Sequence, residues 1–155
     1  MRTDSLPERN IALDTLMPLI RQELSDGRSV RFAPRGVSML PMLRQGLDTV
    51  TISPLPQKLK KYDLPLYQRD DGKYVLHRIV RVEDTYTCIG DNQFEEETGV
   101  RHDQMIGLVT EFTRGEKLVS VKNWCYRLYC RIWHATRVPR LYWKKGIALL
   151  RRLVK

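Results

Sequence analysis

The chain has 155 residues, an ordinary content of aliphatic and aromatic side chains, and a net charge of +9. This length favours one domain with appendages, and the mixing of charged with apolar residues excludes wholesale disorder. Residues 117–155 hold eleven of the 27 Lys and Arg and no Asp or Glu, so residues 1–116 carry a net charge of −2. The excess positive charge therefore lies in the C-terminal segment, where it indicates an anionic partner surface.

The sequence also argues against a membrane-spanning or disulfide-rich protein. No apolar run approaches the roughly 20 residues that cross a bilayer. Asp4, Glu8 and Arg9 lie where a secretory signal needs apolar residues. The three cysteines show neither CxxC nor Cys/His spacing, which predicts no disulfide framework and no zinc site. We expect a cytoplasmic protein in a reducing compartment, peripheral at most to the inner membrane face.

The first predicted element is an amphipathic helix within residues 1–28. Apolar residues recur at three- and four-residue spacings over 10–25, and Asp26–Gly27 ends the pattern. The period then changes to two. Strands are predicted at 29–32, 49–53, 63–68, 73–82, 84–90 and 105–112. We therefore expect a mainly β, α+β domain over residues 29–116, with the helix before it.

The last segment, residues 117–155, is predicted to be a basic helical tail. Its first stretch has an apolar side beside two arginines: Trp124, Leu128 and Ile132 with Arg127 and Arg131. The stretch after Pro139 separates an apolar arc from basic residues: Trp143, Ile147, Leu150 and Val154 against Lys144, Lys145, Arg151, Arg152 and Lys155. Two interpretations remain open: binding to an anionic membrane surface, or a helical cover on the sheet with its cations in solvent.

The most informative motif is Gly-Val-Ser-Met-Leu-Pro at 36–41, between two predicted strands. A nucleophilic serine needs a constrained turn that exposes its hydroxyl. Gly36 before Ser38 permits close backbone approach, and Pro41 after it adds stiffness. The motif makes Ser38 a candidate nucleophile, although a serine in such a turn can also be purely structural.

Two further segments supply a candidate base and acid. His77 interrupts a hydrophobic strand, and a histidine within reach of a serine can accept its proton near neutral pH. The Gly-Asp-Asn segment at 90–92 carries Asp91, and an acid behind the histidine would fix its tautomer and stabilise the imidazolium. The same Gly-Asp-Asn segment also suits a turn without chemistry.

In order, the boxes GVSMLP, LHRIVRV, GDN and MIGLV resemble the signal peptidase I family and its LexA-type self-cleaving relatives, over roughly residues 28–112. The resemblance implies the LexA/signal-peptidase-like β fold and a serine endopeptidase that cleaves signal- or leader-like polypeptides without metal or cofactor. It implies that Ser38 is the nucleophile. His77 stands where most bacterial members have Lys, as in the Ser/His enzymes of archaea and the endoplasmic reticulum.

The resemblance also locates the acid, the oxyanion donors and the substrate. It implies an acid within or just after the GDN box, where the chain offers four, of which we favour the first: Asp91, Glu96, Glu97 and Asp103. Gly36 replaces a serine that helps bind the oxyanion in bacterial relatives, which leaves backbone donors such as the Ser38 N–H. An extended polypeptide with small side chains near the scissile bond is expected along a strand edge.

The sequence departs from these relatives and leaves other functions open. We expect neither a spanning anchor nor an N-terminal helix-turn-helix domain, since residues 1–28 have room for one helix. One alternative is a catalytically inactive binding or regulatory module on the same fold. Another is nucleic-acid binding through the basic tail, which is disfavoured because no nucleic-acid-binding motif accompanies its aromatic residues.

Overall fold

The computed structural model describes residues 13–153, apart from the side chains of residues 144 and 148–153. Residues 10–12 of the predicted helix and the side chains of Leu150 and Val154 lie outside this part. The helices are α1 Leu13–Ser25, α2 Trp124–Ala135 and α3 Arg137–Leu153. The strands are β1 Val30–Phe32, β2 Val50–Ser53, β3 Pro65–Gln68, β4 Tyr74–Leu76, β5 Arg78–Val82, β6 Tyr86–Ile89, β7 Glu97–Val100, β8 Met105–Arg114 and β9 Lys117–Ser120.

The strands form two antiparallel sheets, which confirms the predicted mainly β, α+β class. The larger sheet has the order β1-β2-β8-β3-β4, with β9 added beside β8, and the smaller has the order β5-β6-β7. The ten-residue β8 pairs with β2, β3 and β9 along different parts of its length. As a result β1 and β4 are the outermost strands of the larger sheet.

The main core lies between the larger sheet and two helices. Met17, Ile20 and Leu24 of α1 are buried there, at the three- and four-residue spacings that predicted this helix. Tyr126 and Cys130 of α2 belong to the same cluster. A second core packs against the smaller sheet and contains Leu59, Tyr67, Ile79, Tyr86, Cys88, Val100 and Met105. Both sheets are thereby covered on an apolar face.

The predicted strand over 73–82 is two strands in different sheets. β4 ends at Leu76 and β5 begins at Arg78, so His77 is the residue at which the chain passes from one sheet to the other. The sequence hides this break, because neither strand shows an alternating burial pattern that would mark where one ends and the next begins.

The prediction of helix from residue 117 onward is wrong for residues 117–120. These residues form β9, which pairs with β8 across a two-residue turn, with Arg114 opposite Lys117. Gly115 supplies the positive φ of +63° that this turn requires. Helix α2 follows, and the Asn123 side chain caps it by accepting a hydrogen bond from Cys125 N–H at 2.8 Å.

Candidate functional site

Ser38 lies in a turn that the main core holds in place. The residues that follow it, Met39, Met42 and Leu43, are buried in that core, while Ser38 itself is half-buried. Gly36 adopts a φ of +94°, which favours glycine at this position. The core thus holds the backbone after Ser38 in place, and the left-handed conformation of Gly36 sets the direction of the backbone before it.

The Gly-Asp-Asn turn supports the backbone of Ser38. The Asn92 N–H donates to the Ser38 carbonyl at 2.8 Å, and Asn92 Nδ2 donates to the Val37 carbonyl at 3.2 Å. A Cβ atom on Gly90 would lie 2.7 Å from the Ser38 carbonyl oxygen. Only glycine therefore allows this approach, so two of the sequence boxes form one structural unit.

Ser38 and His77 line the same cavity of about 210 Å³. The other lining residues come from the segment after β1, from β4 and from the turns beside them, and they include Pro34, Gln45, Arg69, Tyr74, Val75 and Gln93. His77 is only 3% exposed. Its ring forms no direct hydrogen bond with Ser38 in the described part of the chain, so any proton transfer requires the two side chains to come closer.

A hydrogen-bond network behind His77 determines which of its ring nitrogens is the acceptor. The Tyr67 hydroxyl donates to Glu97 Oε2 at 2.7 Å and lies 3.3 Å from His77 Nδ1. Because its single proton goes to Glu97, Tyr67 can only accept from Nδ1–H. The lone pair is then on Nε2, which has no partner among the described residues and is not sealed from solvent.

Burial and charge keep this imidazole neutral. The pKa of His77 is lowered to about 4: burial lowers it most and the nearby Arg69 cation lowers it as well, while the Glu97 and Asp91 carboxylates oppose this shift. Burial also raises the pKa of Glu97, but hydrogen bonds from Arg69 and Tyr67 outweigh it, and the net pKa is lowered. Arg69 binds Glu97 through two hydrogen bonds, at 2.8 and 2.7 Å. At neutral pH the site therefore contains a neutral histidine and an ionised glutamate.

The structure places Asp91, the acid favoured from the sequence, against Arg78, and among the described residues no hydrogen bond joins it to His77. Asp91 forms a buried, two-bond ion pair with Arg78, both bonds at 2.8 Å, and its Oδ2 also accepts from the Tyr129 hydroxyl at 3.1 Å. Arg78 attracts this carboxylate more strongly than the neutral His77 does, because a buried guanidinium needs a charged partner. Asp91 is therefore tied to the residue that follows His77 in the chain.

Of the four acids considered from the sequence, Glu97 approaches His77 most closely, with Oε2 3.8 Å from Nδ1. Glu96 instead pairs with Arg137 at 2.7 Å and with Arg81 at 3.2 Å, and Asp103 pairs with Arg101 at the surface. Glu97 reaches the site from β7, an element that the sequence analysis did not predict.

Sequence reasoning also missed Tyr67 and Arg69. Their partner Glu97 is 30 and 28 residues away in the chain, and the contact exists only because β3 and β7 approach each other. The sequence predicted Tyr67 only as a strand residue. The side chain is completely buried, and no local motif marks it as part of a site. No local spacing would have identified this pair.

The Ser38 N–H donates no hydrogen bond to any residue in the described part of the chain. The neighbouring Gly36 N–H is occupied, since it donates to Gln45 Oε1 at 2.9 Å. A free backbone donor next to a serine hydroxyl is the kind of group that stabilises an oxyanion.

Comparisons with protein-family models, with curated proteins and with solved structures find no match to this chain. Within residues 13–153, no three His, Cys, Asp or Glu side chains are grouped so that they could hold a metal ion. None of the three described helices is long and apolar enough to cross a membrane.

Proposed function

We propose that this chain is a serine endopeptidase of the signal-peptidase-like type, with Ser38 as nucleophile and His77 as general base. The observation that carries the proposal is the shared cavity: Ser38 and His77 both line it. The hydrogen bonds of Tyr67 leave the lone pair of His77 on Nε2. The order of the sequence boxes supports the same assignment.

The proposed reaction is acyl transfer. Ser38 Oγ attacks a peptide carbonyl while His77 Nε2 accepts the hydroxyl proton, and the Ser38 N–H donates to the oxyanion. His77 then gives the proton to the leaving amine, and the serine remains acylated. Water attacks this ester with His77 again as base, which releases the acid product and regenerates Ser38. Through Tyr67, the Glu97 carboxylate stabilises the transient imidazolium.

The position of β4 supports an extended polypeptide substrate. β4 is an outermost strand of the larger sheet and lines the cavity, and the segment after β1, the other outermost strand, lines it too. An outer strand has unpaired backbone groups to which an extended peptide can add. Signal- or leader-like segments with small side chains near the scissile bond fit a cavity of about 210 Å³.

The second candidate function is a binding module that holds an extended segment in the same cavity without cleaving it. The absence of a direct Ser38–His77 hydrogen bond among the described residues favours this candidate. Catalytic hydrogen bonds are often long before substrate binds, so the same observation is compatible with an enzyme.

Single and double substitutions distinguish the two candidates. With a fluorogenic library of extended peptides, Ser38→Ala and His77→Ala are each expected to lower kcat by at least about a thousandfold, and the double variant by little more, because the two residues act as one unit. Ser25→Ala, an exposed serine on α1, is the matched control and should retain full activity. Full activity of Ser38→Ala would refute the mechanism, and peptide binding without cleavage by the unmodified chain would identify the module.

A further inference from the structure

Helix α2 is apolar on the side that faces away from the core. Its inward side buries Tyr126 and Cys130 in the main core. Trp124, Leu128 and Ile132, at four-residue spacings, form a row on the outer side and are 73%, 46% and 54% exposed. We call these three residues the outer stripe. A helix that merely covers a sheet would place solvated side chains there, so the packed-cover interpretation leaves this stripe unexplained.

Beside α2 lies a cavity of about 480 Å³ with a strongly cationic lining, which we call the cationic pocket. Six exposed cations line it: Lys58, Lys60, Lys61, Lys122, Arg127 and Arg131. None of the six forms a side-chain salt bridge within the described part of the chain. Asp63 is the one acid in the lining, and it accepts from the Lys60 backbone N–H at 2.8 Å.

Arg127 and Arg131 connect the two features. They line the cationic pocket and are offset by one and three positions from outer-stripe residues on the same helix. An apolar row bordered by cations is typical of a helix that lies in the plane of a bilayer surface. Trp124 at the start of the row suits the boundary between headgroups and acyl chains.

The charge pattern selects among possible occupants. A second copy of the chain would bring like-charged surfaces together, since residues 117–155 contain no acidic residue. A nucleic acid would match the cations but would leave Leu128 and Ile132 in water, because aliphatic side chains do not stack on bases. An anionic bilayer satisfies both the cations and the aliphatic side chains.

We propose that the outer stripe and the cationic pocket bind an anionic phospholipid membrane surface. Headgroup phosphates would occupy the pocket, and the stripe would enter the acyl boundary. Val138, Tyr142 and Trp143 of the following helix α3 are also exposed, at 53%, 68% and 72%. The inference is independent of the peptidase proposal, because membrane binding does not require the chemistry of Ser38.

The test is sedimentation of the full chain with vesicles of phosphatidylcholine alone or mixed with phosphatidylglycerol. We expect binding to the anionic vesicles, little to the neutral ones, and weaker binding at high salt, because salt screens the electrostatic part. The variant Trp124→Gln/Leu128→Gln/Ile132→Gln should bind at least about tenfold more weakly. Its substitutions are on exposed positions, so it should keep the circular dichroism spectrum of the unmodified chain.

Matched variants distinguish a specific effect of the outer stripe from the general effect of removing exposed apolar side chains. Leu19→Gln/Leu47→Gln changes two equally exposed leucines elsewhere and should bind like the unmodified chain, as should Ser38→Ala. Equal binding to both vesicle types, or none to anionic vesicles, would overturn the proposal. So would a dimer, or a complex with an oligonucleotide, that the glutamine variant abolishes while vesicle binding stays unchanged.

Discussion

At the scale of single residues, the decisive quantity is the pKa of His77. Burial, assisted by the Arg69 cation, places this pKa at about 4, although an exposed histidine titrates near 6.5. The neutral imidazole required of a general base is then present throughout the range from about pH 5 upward. Such a residue does not act as a sensor of small changes near neutral pH.

We predict that His77 titrates near pH 4, as followed by the NMR signal of its ring and identified by comparison with His77→Asn. The acid limb of kcat/KM should fall at the same pH, since that limb reports groups of the free enzyme. Arg69→Gln should raise this pKa and Glu97→Gln should lower it, because they remove charges of opposite sign. Arg69→Lys keeps the charge and should shift it less than Arg69→Gln. A titration near 6.5 in the unmodified chain would contradict the electrostatics described here.

The lowered pKa of His77 also determines how this residue makes stability depend on pH. Between about pH 6.5 and 4 the unfolded chain binds a proton at this histidine that the native chain does not bind. The contribution of His77 is therefore complete above about pH 6.5 and is lost as the pH falls towards 4, by up to about 3 kcal/mol. In His77→Asn this part of the acid dependence of the unfolding free energy should be absent.

Two residues of the candidate site could be singled out from the sequence, but the acid that lies nearest His77 could not. Ser38 and His77 were singled out by their local motifs, and the structure places them at one cavity. To choose among the four acids, one must know which of them is bound by a cation elsewhere in the fold. Asp91 has Arg78, whereas Glu97 is brought beside Tyr67 by strand packing. Local sequence does not encode either contact.

At the scale of elements, Arg78 joins β5, α2 and the two turns around Ser38. Its guanidinium donates to Asp91, to the Tyr126 hydroxyl at 2.9 Å and to Met42 Sδ at 3.0 Å. Asp91 precedes Asn92, the residue that holds the Ser38 carbonyl. The Asp91 backbone carbonyl also accepts from Trp133 Nε1 of α2 at 2.7 Å. The helix thereby helps to position the nucleophile turn without touching the cavity.

We predict that Asp91→Asn destabilises the fold by about 3 kcal/mol, because it leaves a buried arginine without its counter-charge. It should also lower kcat by displacing the turn that holds Ser38. Denaturant unfolding and steady-state kinetics on the same preparation measure the two effects. Asp91 acts here as a positioning residue, so its substitution should shift the pKa of His77 less than Glu97→Gln does.

Asp103→Asn is the control, since it removes an ion pair at the surface, where solvent screens the attraction and little stability depends on it. Wild-type stability and turnover in Asp91→Asn would show that Arg78 does not depend on this carboxylate. A shift in the pKa of His77 larger than that of Glu97→Gln would restore Asp91 as the orienting acid.

Helices and strands were predictable where the apolar residues of a segment follow a single helical or strand period. Helix α1 and strands β1, β2, β3, β6 and β8 lie within or close to their predicted ranges. β7 was missed because it is a short, mostly exposed outer strand with Gly99 in its middle. β9 was missed although Gly115–Glu116 between two apolar segments is a hairpin signal. For α2 the side named as apolar from the sequence, Trp124, Leu128 and Ile132, is exposed, and Tyr126 and Cys130 face the core instead.

At the scale of the whole molecule, the segment with all the excess charge is also part of the core. Residues 117–155 supply β9 to the larger sheet and, through α2, Tyr126 and Cys130 to the main core. They also provide partners for the buried Arg78. Charge segregation in the sequence suggested a separable appendage, but these contacts join its first twenty residues to the β domain.

We therefore predict that a chain ending at Glu116 does not fold, whereas one ending at Thr136 does. The loss of Tyr126 alone destabilises the fold by about 3–5 kcal/mol. The loss of the hydrogen-bond partners of Arg78 destabilises it further. The total stability of a typical domain is only about 5–15 kcal/mol. Ending at Thr136 retains β9 and α2. It removes the Arg140 guanidinium, which lies 3.6 Å from the Trp133 ring centroid, and the Arg137–Glu96 ion pair at 2.7 Å. Thermal unfolding followed by near-ultraviolet circular dichroism checks both chains. A cooperative transition in the chain ending at Glu116 would show that the β domain is independent of α2, and its absence in the longer chain would place α3 in the folding unit.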